Sequence, residues 1–154
     1  EYTGTFQLGA TTPSFDCETE IDHNFPIDNI DEPKLLATAK EFIGESEQVP
    51  PIYSAIKIKG TRAYIKARKN DNVKLVARKI FISDFEITNI QLPYIDFRIS
   101  CSKGTYIRAM ARDFGLKLNS GAHLTSLRRT KIGEYNVTKA MSIFEFEKML
   151  NLSH

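Results

Sequence analysis

Apolar and polar residues alternate along one short run of the chain, and this alternation limits the folds that the chain can adopt. The run extends from Tyr94 to Cys101, and its apolar members are Ile95, Phe97, Ile99 and Cys101. Because successive side chains of a strand point to opposite faces, this run predicts a strand with one buried face. The same alternation from Tyr2 to Leu8 predicts a strand at the start of the chain.

Helical patterns lie between the strand-like segments. A helix from Glu32 to about Ile43 is predicted because Asp31 can cap it, and a second helix from Thr105, as its cap, to about Leu118. Further predicted elements are strands near Ala55 to Lys59, Lys79 to Ile90, Ala122 to Arg129 and Glu134 to Val137, a short basic helix from Arg62 to Lys69, and a final helix at the capping box Ser142-Ile143-Phe144-Glu145. This order lacks a repeating strand–helix–strand rhythm, so it favours the α+β class.

Length and composition are those of one globular domain. The chain has 154 residues, of which 42% are hydrophobic and 26% are charged. No run approaches the roughly 18 apolar residues of a membrane span. The two cysteines, Cys17 and Cys101, cannot form a disulfide framework, which favours a reducing cytoplasm. The three histidines show no metal-ligand spacing, so we expect no metal site.

Charge is segregated along a chain whose net charge is only +2. Ten acidic residues lie between Asp16 and Glu47, against two lysines. Nine basic residues lie between Tyr53 and Lys79, and eight between Arg98 and Lys131, each block with one acidic residue. Two basic blocks are typical of a protein that binds a polyanion such as nucleic acid. On charge alone, two solvated faces remain an equal alternative.

A glycine turn joins a predicted strand to a predicted helix in the run from Cys101 to Arg108. Backbone N–H groups at such a turn can hold an anion, and Lys103 adds a charge beside it. Arg108 and Arg112 lie four residues apart, so they share one helix face. An ordinary strand–turn–helix with an exposed basic face is the alternative, because a single glycine turn is a weak signal.

The same run, Cys-Ser-Lys-Gly-Thr-Tyr-Ile-Arg, resembles the signature of the TruB-type pseudouridine synthases. Other segments resemble that family in the family's order along almost the whole chain. They are Tyr2 with Leu8 to Thr12 and Asp16; Gln48 to Lys57; Gly60 with Ala63-Tyr64 and Ala67-Arg68; Asp113 to Gly115; Gly121 to Leu124; and Leu127 to Thr130. Several motifs in the correct order at plausible spacing are far more specific than one.

The resemblance implies isomerisation of a T-loop uridine, at position 55 of tRNA, to pseudouridine. It implies an α+β fold with a mixed, mostly antiparallel sheet and flanking helices, and no metal or organic cofactor. The family's essential aspartate lies in a Gly-Gly-Thr-Leu-Asp-like motif, which we expect upstream of Glu1. We therefore expect residues 1–154 to be the C-terminal part of the catalytic domain, inactive alone and without a separate C-terminal RNA-binding module.

The resemblance also assigns roles to individual residues. Tyr2 would stack on the flipped uracil, Arg108 would pair with the catalytic aspartate, and Leu127 would lie against the uracil face. Asp16 would support the site through hydrogen bonds, and Arg108 is expected to lack its partner in this chain. The RNA-contact candidates are Lys57, Tyr64, Arg68, Lys103, Tyr106, Arg128 and Arg129.

Plainer roles stay open for these residues. Tyr2 is also suited to packing within the sheet, Leu127 and Tyr106 are also suited to the core, and each basic candidate is also suited to a solvated surface. The expected partner is the T-stem and loop of tRNA, bound by a monomer. Two other classes compete with the enzyme: a non-catalytic RNA-binding or scaffold protein of the same fold, and an unrelated α+β domain that binds another anion.

Overall fold

The computed structural model describes residues 1–52, 57–58, 61–62 and 75–151, with only the backbone at 57–58 and 61–62. Tyr64, Arg68 and most of the predicted basic helix lie outside the described residues, as does the side chain of Lys57. Within them, no helix is long and apolar enough to cross a membrane.

The described strands are β1 (Tyr2–Leu8), β2 (Ala10–Thr11), β3 (His23–Asn24), β4 (Gly44–Gln48), β5 (Lys57–Ile58), β6 (Thr61–Arg62), β7 (Arg78–Gln91), β8 (Tyr94–Cys101), β9 (Ala122–Arg129), β10 (Lys131–Ile132) and β11 (Tyr135–Asn136). Five of them form the main sheet in the order β4-β7-β8-β1-β9. Every neighbouring pair in this sheet is antiparallel. The predicted α+β class and mostly antiparallel sheet are therefore confirmed.

Strand β1 lies inside the sheet, between β8 and β9. Its residues Phe6 and Leu8 are buried, and Phe6 stands opposite Ile95 on β8 and Leu124 on β9. The alternation seen in the sequence thus puts one face of β1 into the core, because residues directly opposite each other project from the same side of a sheet.

Three α-helices are described: α1 (Glu32–Glu41), α2 (Ile107–Lys117) and α3 (Ile143–Asn151), with a short 3₁₀ helix at Val137–Lys139. Asp31 caps α1, because its carboxylate accepts the Lys34 N–H at 2.9 Å. Met110 and Phe114 on the apolar stripe of α2 are fully buried. The core is therefore rich in aromatic contacts, and the rings of Phe6 and Phe114 lie 5.9 Å apart.

The structure differs from the sequence prediction in several places. Arg62, the predicted first residue of the basic helix, lies in β6. Strand β4, which follows α1, was not predicted, and it pairs with β7 through Gly44 opposite Ile82. Thr105 does not cap α2: its hydroxyl donates to the Ser102 carbonyl at 2.9 Å, and Tyr106 is the cap residue. The cap prediction is wrong because the Thr105 side chain closes the preceding turn instead.

Candidate functional site

A loop after β2 presents Asp16 in a fixed orientation. The Ser14 hydroxyl donates to Asp16 Oδ1 at 2.6 Å, and the Thr12 hydroxyl donates to the Asp16 carbonyl at 2.7 Å. Phe15 adopts a left-handed conformation with φ of 64°, and its carbonyl accepts the Leu124 N–H at 2.9 Å. Because Ser14 is fully buried, the loop is held against the sheet from inside.

Arg108 projects from the first turn of α2 towards this loop. Its Nη1 donates to Asp16 Oδ2 at 3.2 Å and to the Ser14 carbonyl at 3.4 Å. Both side chains are only partly exposed, Arg108 at 21% and Asp16 at 18%. Arg108 is therefore not left unpaired in this chain, as the expected absence of the catalytic aspartate had implied. Its partner is a carboxylate 92 residues away in sequence, which the fold brings to it.

An open groove of about 580 Å³ lies beside this ion pair. Its walls are the Asp16 loop, Arg108 and the middle of β9, including Leu127. Leu127 is 46% exposed, so it contributes an apolar surface at the groove and is not a core leucine. A groove of this volume falls within the roughly 300–1,000 Å³ of ligand sites, and it combines an apolar wall with a few fixed polar groups.

Tyr2 lies on the same face of the sheet as Leu127 but does not line this groove. On β9, Leu127 stands opposite Gly4 and Arg129 stands opposite Tyr2. Tyr2 is half-buried and packs against the core. Of the four residues expected in or beside the catalytic site, the structure thus brings together Asp16, Arg108 and Leu127, with Tyr2 further along the same face.

The described RNA-contact candidates lie around this region but outside the groove. Lys103 is exposed in the turn before α2, next to Gly104 with φ of 87°. Arg128 and Arg129 are exposed at the end of β9 and, as consecutive residues, point to opposite faces. Tyr106 is half-buried, and its backbone is held by another residue.

The turn itself is a poorer anion site than its glycine suggested. The Ser102 N–H donates to the Phe81 carbonyl at 2.8 Å, and the Thr105 N–H lies 3.4 Å from the Ser102 carbonyl. The Tyr106 N–H donates to Gln48 Oε1 at 2.8 Å. Because these three N–H groups are already bonded within the protein, the predicted cradle for an anion is not formed by them.

Gln48 was not among the predicted site residues, although it contacts the backbone beside Arg108. It ends β4, is 3% exposed, and bonds the backbone of Tyr106, 58 residues away. A buried polar side chain needs such partners, but its position in the sequence does not reveal which residues they are. Only its place in the family segment from Gln48 to Lys57 pointed to this residue.

Charged groups on the opposite face of the sheet are paired among themselves. Arg98 contacts Asp84 at 2.9 Å and Glu1 at 3.4 Å. The Thr130 hydroxyl, which donates to the Glu1 carboxyl at 2.8 Å, lowers the pKa of that carboxyl below its usual value, and Arg98 and Lys131 act in the same direction. These groups organise the outer face and do not reach the groove.

Within the described parts of the chain, no group of three or more His, Cys, Asp or Glu side chains could hold a metal ion. His123 is buried, with Nδ1 2.9 Å from the Ala10 carbonyl oxygen, so it ties β9 to β2. Burial raises the pKa of the Cys101 thiol. Cys17, in contrast, is exposed and lines the groove.

Two family models together match the chain from end to end. The N-terminal domain of TruB family pseudouridylate synthases matches residues 1–107, and the C-terminal domain of tRNA pseudouridylate synthase B matches residues 108–154. The chain belongs to the TruB family. The two matched regions meet within α2, and the TruB core draws residues from both, such as Phe6 and Phe114.

Curated relatives of this TruB chain carry the name tRNA pseudouridine synthase B. The one from Flavobacterium johnsoniae is 57% identical over 150 residues, covering 97% of this chain and 66% of the relative. The one from Phocaeicola vulgatus is 48% identical over 151 residues, covering 98% of this chain and 64% of the relative. The chain therefore spans a little less than two thirds of the length of these relatives.

Solved structures share the TruB fold. The crystal structure of a Cbf5-Nop10-Gar1 complex contains a chain 27% identical, with a TM-score of 0.60, matching 88% of this chain and 31% of that one. Family membership excludes the unrelated α+β domain considered from the sequence.

Proposed function

We propose that the full-length protein is an isomerase that converts the T-loop uridine at position 55 of tRNA to pseudouridine. The name shared by the relatives, at up to 57% identity over 97% of this chain, supports the reaction. The observation that carries the proposal is the Arg108–Asp16 pair, which lies beside an exposed Leu127 in an open groove.

In this proposal Arg108 organises a catalytic carboxylate. A guanidinium stays charged at all relevant pH values and binds carboxylates through a planar fork. Asp16 supports it by holding Nη1 in place from the loop side. The nucleophilic aspartate would come from a segment outside the 154 residues, because the sequence contains no Gly-Gly-Thr-Leu-Asp-like motif. A cation beside that aspartate would keep it ionised for attack.

The apolar and aromatic residues on the groove face of the sheet would bind the target uracil. Flipping takes the uridine out of the loop, and Leu127 would cover one face of the uracil while Tyr2 stacks on it. Attack of the aspartate on the ribose carbon forms a bond to that carbon and breaks the bond between it and the uracil nitrogen. The uracil then rotates, its C5 bonds to the same carbon as the aspartate is released, and Tyr2 is suited to removing the proton that C5 carries. Each stacked base gains about 1–3 kcal/mol, which offsets part of the cost of unstacking the loop.

Positive side chains near the groove and, at Arg128, on the outer face of the sheet would bind the RNA backbone. Of the described residues, Lys103, Arg128 and Arg129 are exposed and suited to phosphate contacts. We include Lys57, Tyr64, Tyr106 and Arg68 by their positions in the family motifs. The protein would act as a cytoplasmic monomer on the T-stem and loop, with residues 1–154 as the C-terminal part of its catalytic domain.

Tritium release tests the reaction. A T-stem-loop transcript carrying 5-tritiated uridine is incubated with the full-length protein, with this chain alone, and with a control transcript that has cytidine at the target position. We expect release at the target uridine with the full-length protein and none with this chain alone. Tight and selective T-loop binding without release by the full-length protein would instead indicate the non-catalytic scaffold.

The salt dependence of binding tests the contact residues. Each phosphate contact adds about one unit to the slope of log affinity against log salt concentration. We therefore expect Arg128→Ser and Arg129→Ser to lower the slope by about one unit each. Lys40→Ser, an exposed cation on α1, is the matched control and should leave the slope unchanged. Slopes that match the wild type in all three variants would remove Arg128 and Arg129 from the interface.

A further inference from the structure

Gln48 makes a reciprocal pair of hydrogen bonds with the backbone of one residue. Its Oε1 accepts the Tyr106 N–H at 2.8 Å, and its Nε2 donates to the Tyr106 carbonyl at 3.1 Å. The side-chain amide thus does what a neighbouring strand does in a sheet, satisfying a donor and an acceptor at once. With only 3% of Gln48 exposed, water cannot substitute for these bonds.

Tyr106 is the residue from which α2 starts. It has an extended backbone, and no side-chain hydrogen bond caps the helix from it. Its carbonyl also accepts the Met110 N–H at 3.1 Å, the first bond of the helix. Gln48 therefore fixes the peptide that sets the direction and rotation of the first turn, and Arg108 is two residues further on.

A second contact next to Gln48 holds the same helix one turn later. Arg112 Nη2 donates to the Val49 carbonyl at 2.9 Å. The Arg112 guanidinium also lies 5.0 Å from the ring centre of Phe15, in the loop that carries Asp16. The end of β4, the start of α2 and the Asp16 loop are thus joined by direct contacts.

We propose that Gln48 is a positioning residue for the Arg108–Asp16 pair, acting through the backbone of Tyr106. This inference rests on the proposed function of Arg108. Gln48 lies outside the lining of the groove, so its effect is on the placement of the guanidinium and not on contact with the uridine. A guanidinium displaced by a fraction of an ångström loses alignment with the catalytic carboxylate, and such misplacement lowers turnover.

The test uses Gln48→Met in the full-length protein, because methionine keeps the length of the side chain and removes both hydrogen bonds. We expect kcat for tritium release to fall about tenfold or more while KM stays within about twofold. The Tyr106 amide should exchange with solvent faster, as followed by NMR. Gln91→Met is the matched control: Gln91 ends β7 and is exposed, so kcat and KM should equal those of the wild type.

Gln48→Asn provides a second variant in case methionine prevents folding. It keeps the amide but is one methylene group too short to make both bonds. We therefore expect kcat to fall as in Gln48→Met while KM again stays within about twofold. An unchanged kcat in the folded variants, or equal losses in kcat and affinity, would overturn the positioning role. Wild-type protein that releases no tritium would overturn the proposed function itself, whereas active wild type with unaffected Gln48 variants would overturn this inference alone.

Discussion

Arg108 and Asp16 show how one residue pair can define a site. Their contact joins a helix to a loop that lies 92 residues earlier in the chain. The pair is partly exposed, so its worth for stability is modest, and its geometry matters more. Asp16 is itself held by the Ser14 hydroxyl, so the direction of the guanidinium is set by two successive contacts.

Arg108→Lys in the full-length protein should lower turnover far more than RNA affinity. Lysine keeps the positive charge but loses the planar fork that binds carboxylates through two nitrogens. We expect kcat to fall about a hundredfold, as when a contact made only in the transition state is removed, with the dissociation constant of the RNA within about threefold. Single-turnover kinetics and a filter-binding assay measure the two quantities.

Arg98→Lys is the control for this substitution. Arg98 pairs with Asp84 on the opposite face of the sheet, so its replacement should leave turnover unchanged. Equal losses of kcat and affinity in Arg108→Lys would show that Arg108 binds RNA and does not organise a catalytic carboxylate.

At the scale of elements, Gly4 allows β1 and β9 to approach closely where Leu127 faces the groove. A Cβ at Gly4 would lie 2.3 Å from the Ser126 carbonyl oxygen and 2.8 Å from Phe97 Cζ. The first of these atoms belongs to the backbone of β9, which cannot rotate away as a side chain can. Any larger residue must therefore push the two strands apart.

Gly4→Ala should destabilise the protein by about 1–3 kcal/mol, the usual cost of overpacking in a well-packed region. Urea denaturation measures the free energy of unfolding. Thr3→Ala, at the neighbouring position on the outer face of β1, should cost clearly less. If Gly4→Ala were as stable as Thr3→Ala, the close approach of β9 would not constrain this position.

The capping box of α3 predicts a pH dependence for this helix. The Ser142 N–H donates to Glu145 Oε2 at 2.7 Å, and the Glu145 N–H donates to the Ser142 hydroxyl at 3.2 Å. The first of these bonds lowers the pKa of the Glu145 carboxyl below its usual 4.5. The stabilisation of α3 is therefore fully present above that value and lost as the pH falls through the lower pKa of the folded state.

Carbon chemical shifts along α3 should accordingly lose helical character as the pH falls below 4.5. In Glu145→Gln the loss should disappear, because a glutamine can complete the box without titrating. A wild-type helix whose shifts do not change over that range would contradict the role of the ionised Glu145.

The elements that local patterns predict well are those with a buried face. Strands β8 and β9 have the predicted bounds, and in β8 buried and more exposed residues alternate because the core lies on one side of the strand. Strand β4 has the polar sequence Gly-Glu-Ser-Glu-Gln and exists at the edge of the sheet because β7 offers it backbone partners. A polar sequence of this kind has no apolar alternation that would predict a strand.

The site was predictable only in part, for the same reason. The family motif pointed to Arg108 and Leu127, and the structure places both at one groove. The ion pair with Asp16 and the bonds from Gln48 to Tyr106 join residues 92 and 58 positions apart. Such contacts depend on how the sheet is ordered, which spacing along the chain does not encode.

For the whole molecule, the placement of its two thiols allows RNA binding to be followed directly. Cys17 is exposed in the groove, whereas Cys101 is half-buried and its pKa is raised by burial. Because the thiolate is the reactive form, a maleimide should label Cys17 first. A T-stem-loop RNA should slow the labelling of Cys17 in the full-length protein and leave Cys101 unaffected. Mass spectrometry of the labelled peptides measures both rates, and equal rates at Cys17 with and without RNA would place the RNA elsewhere.

Because β1 lies between β8 and β9, the groove can form only after both of these later strands have been synthesised. During synthesis β1 leaves the ribosome well before β8 starts at Tyr94 and β9 at Ala122. The apolar face of β1 can be packed only after both neighbouring strands have been made, and pairings between distant segments form slowly. A nascent chain that ends before Ala122 thus carries Asp16 and Arg108 but has no β9 to close the groove. Until β9 has been made the sheet is incomplete, and the groove forms only among the last steps of folding.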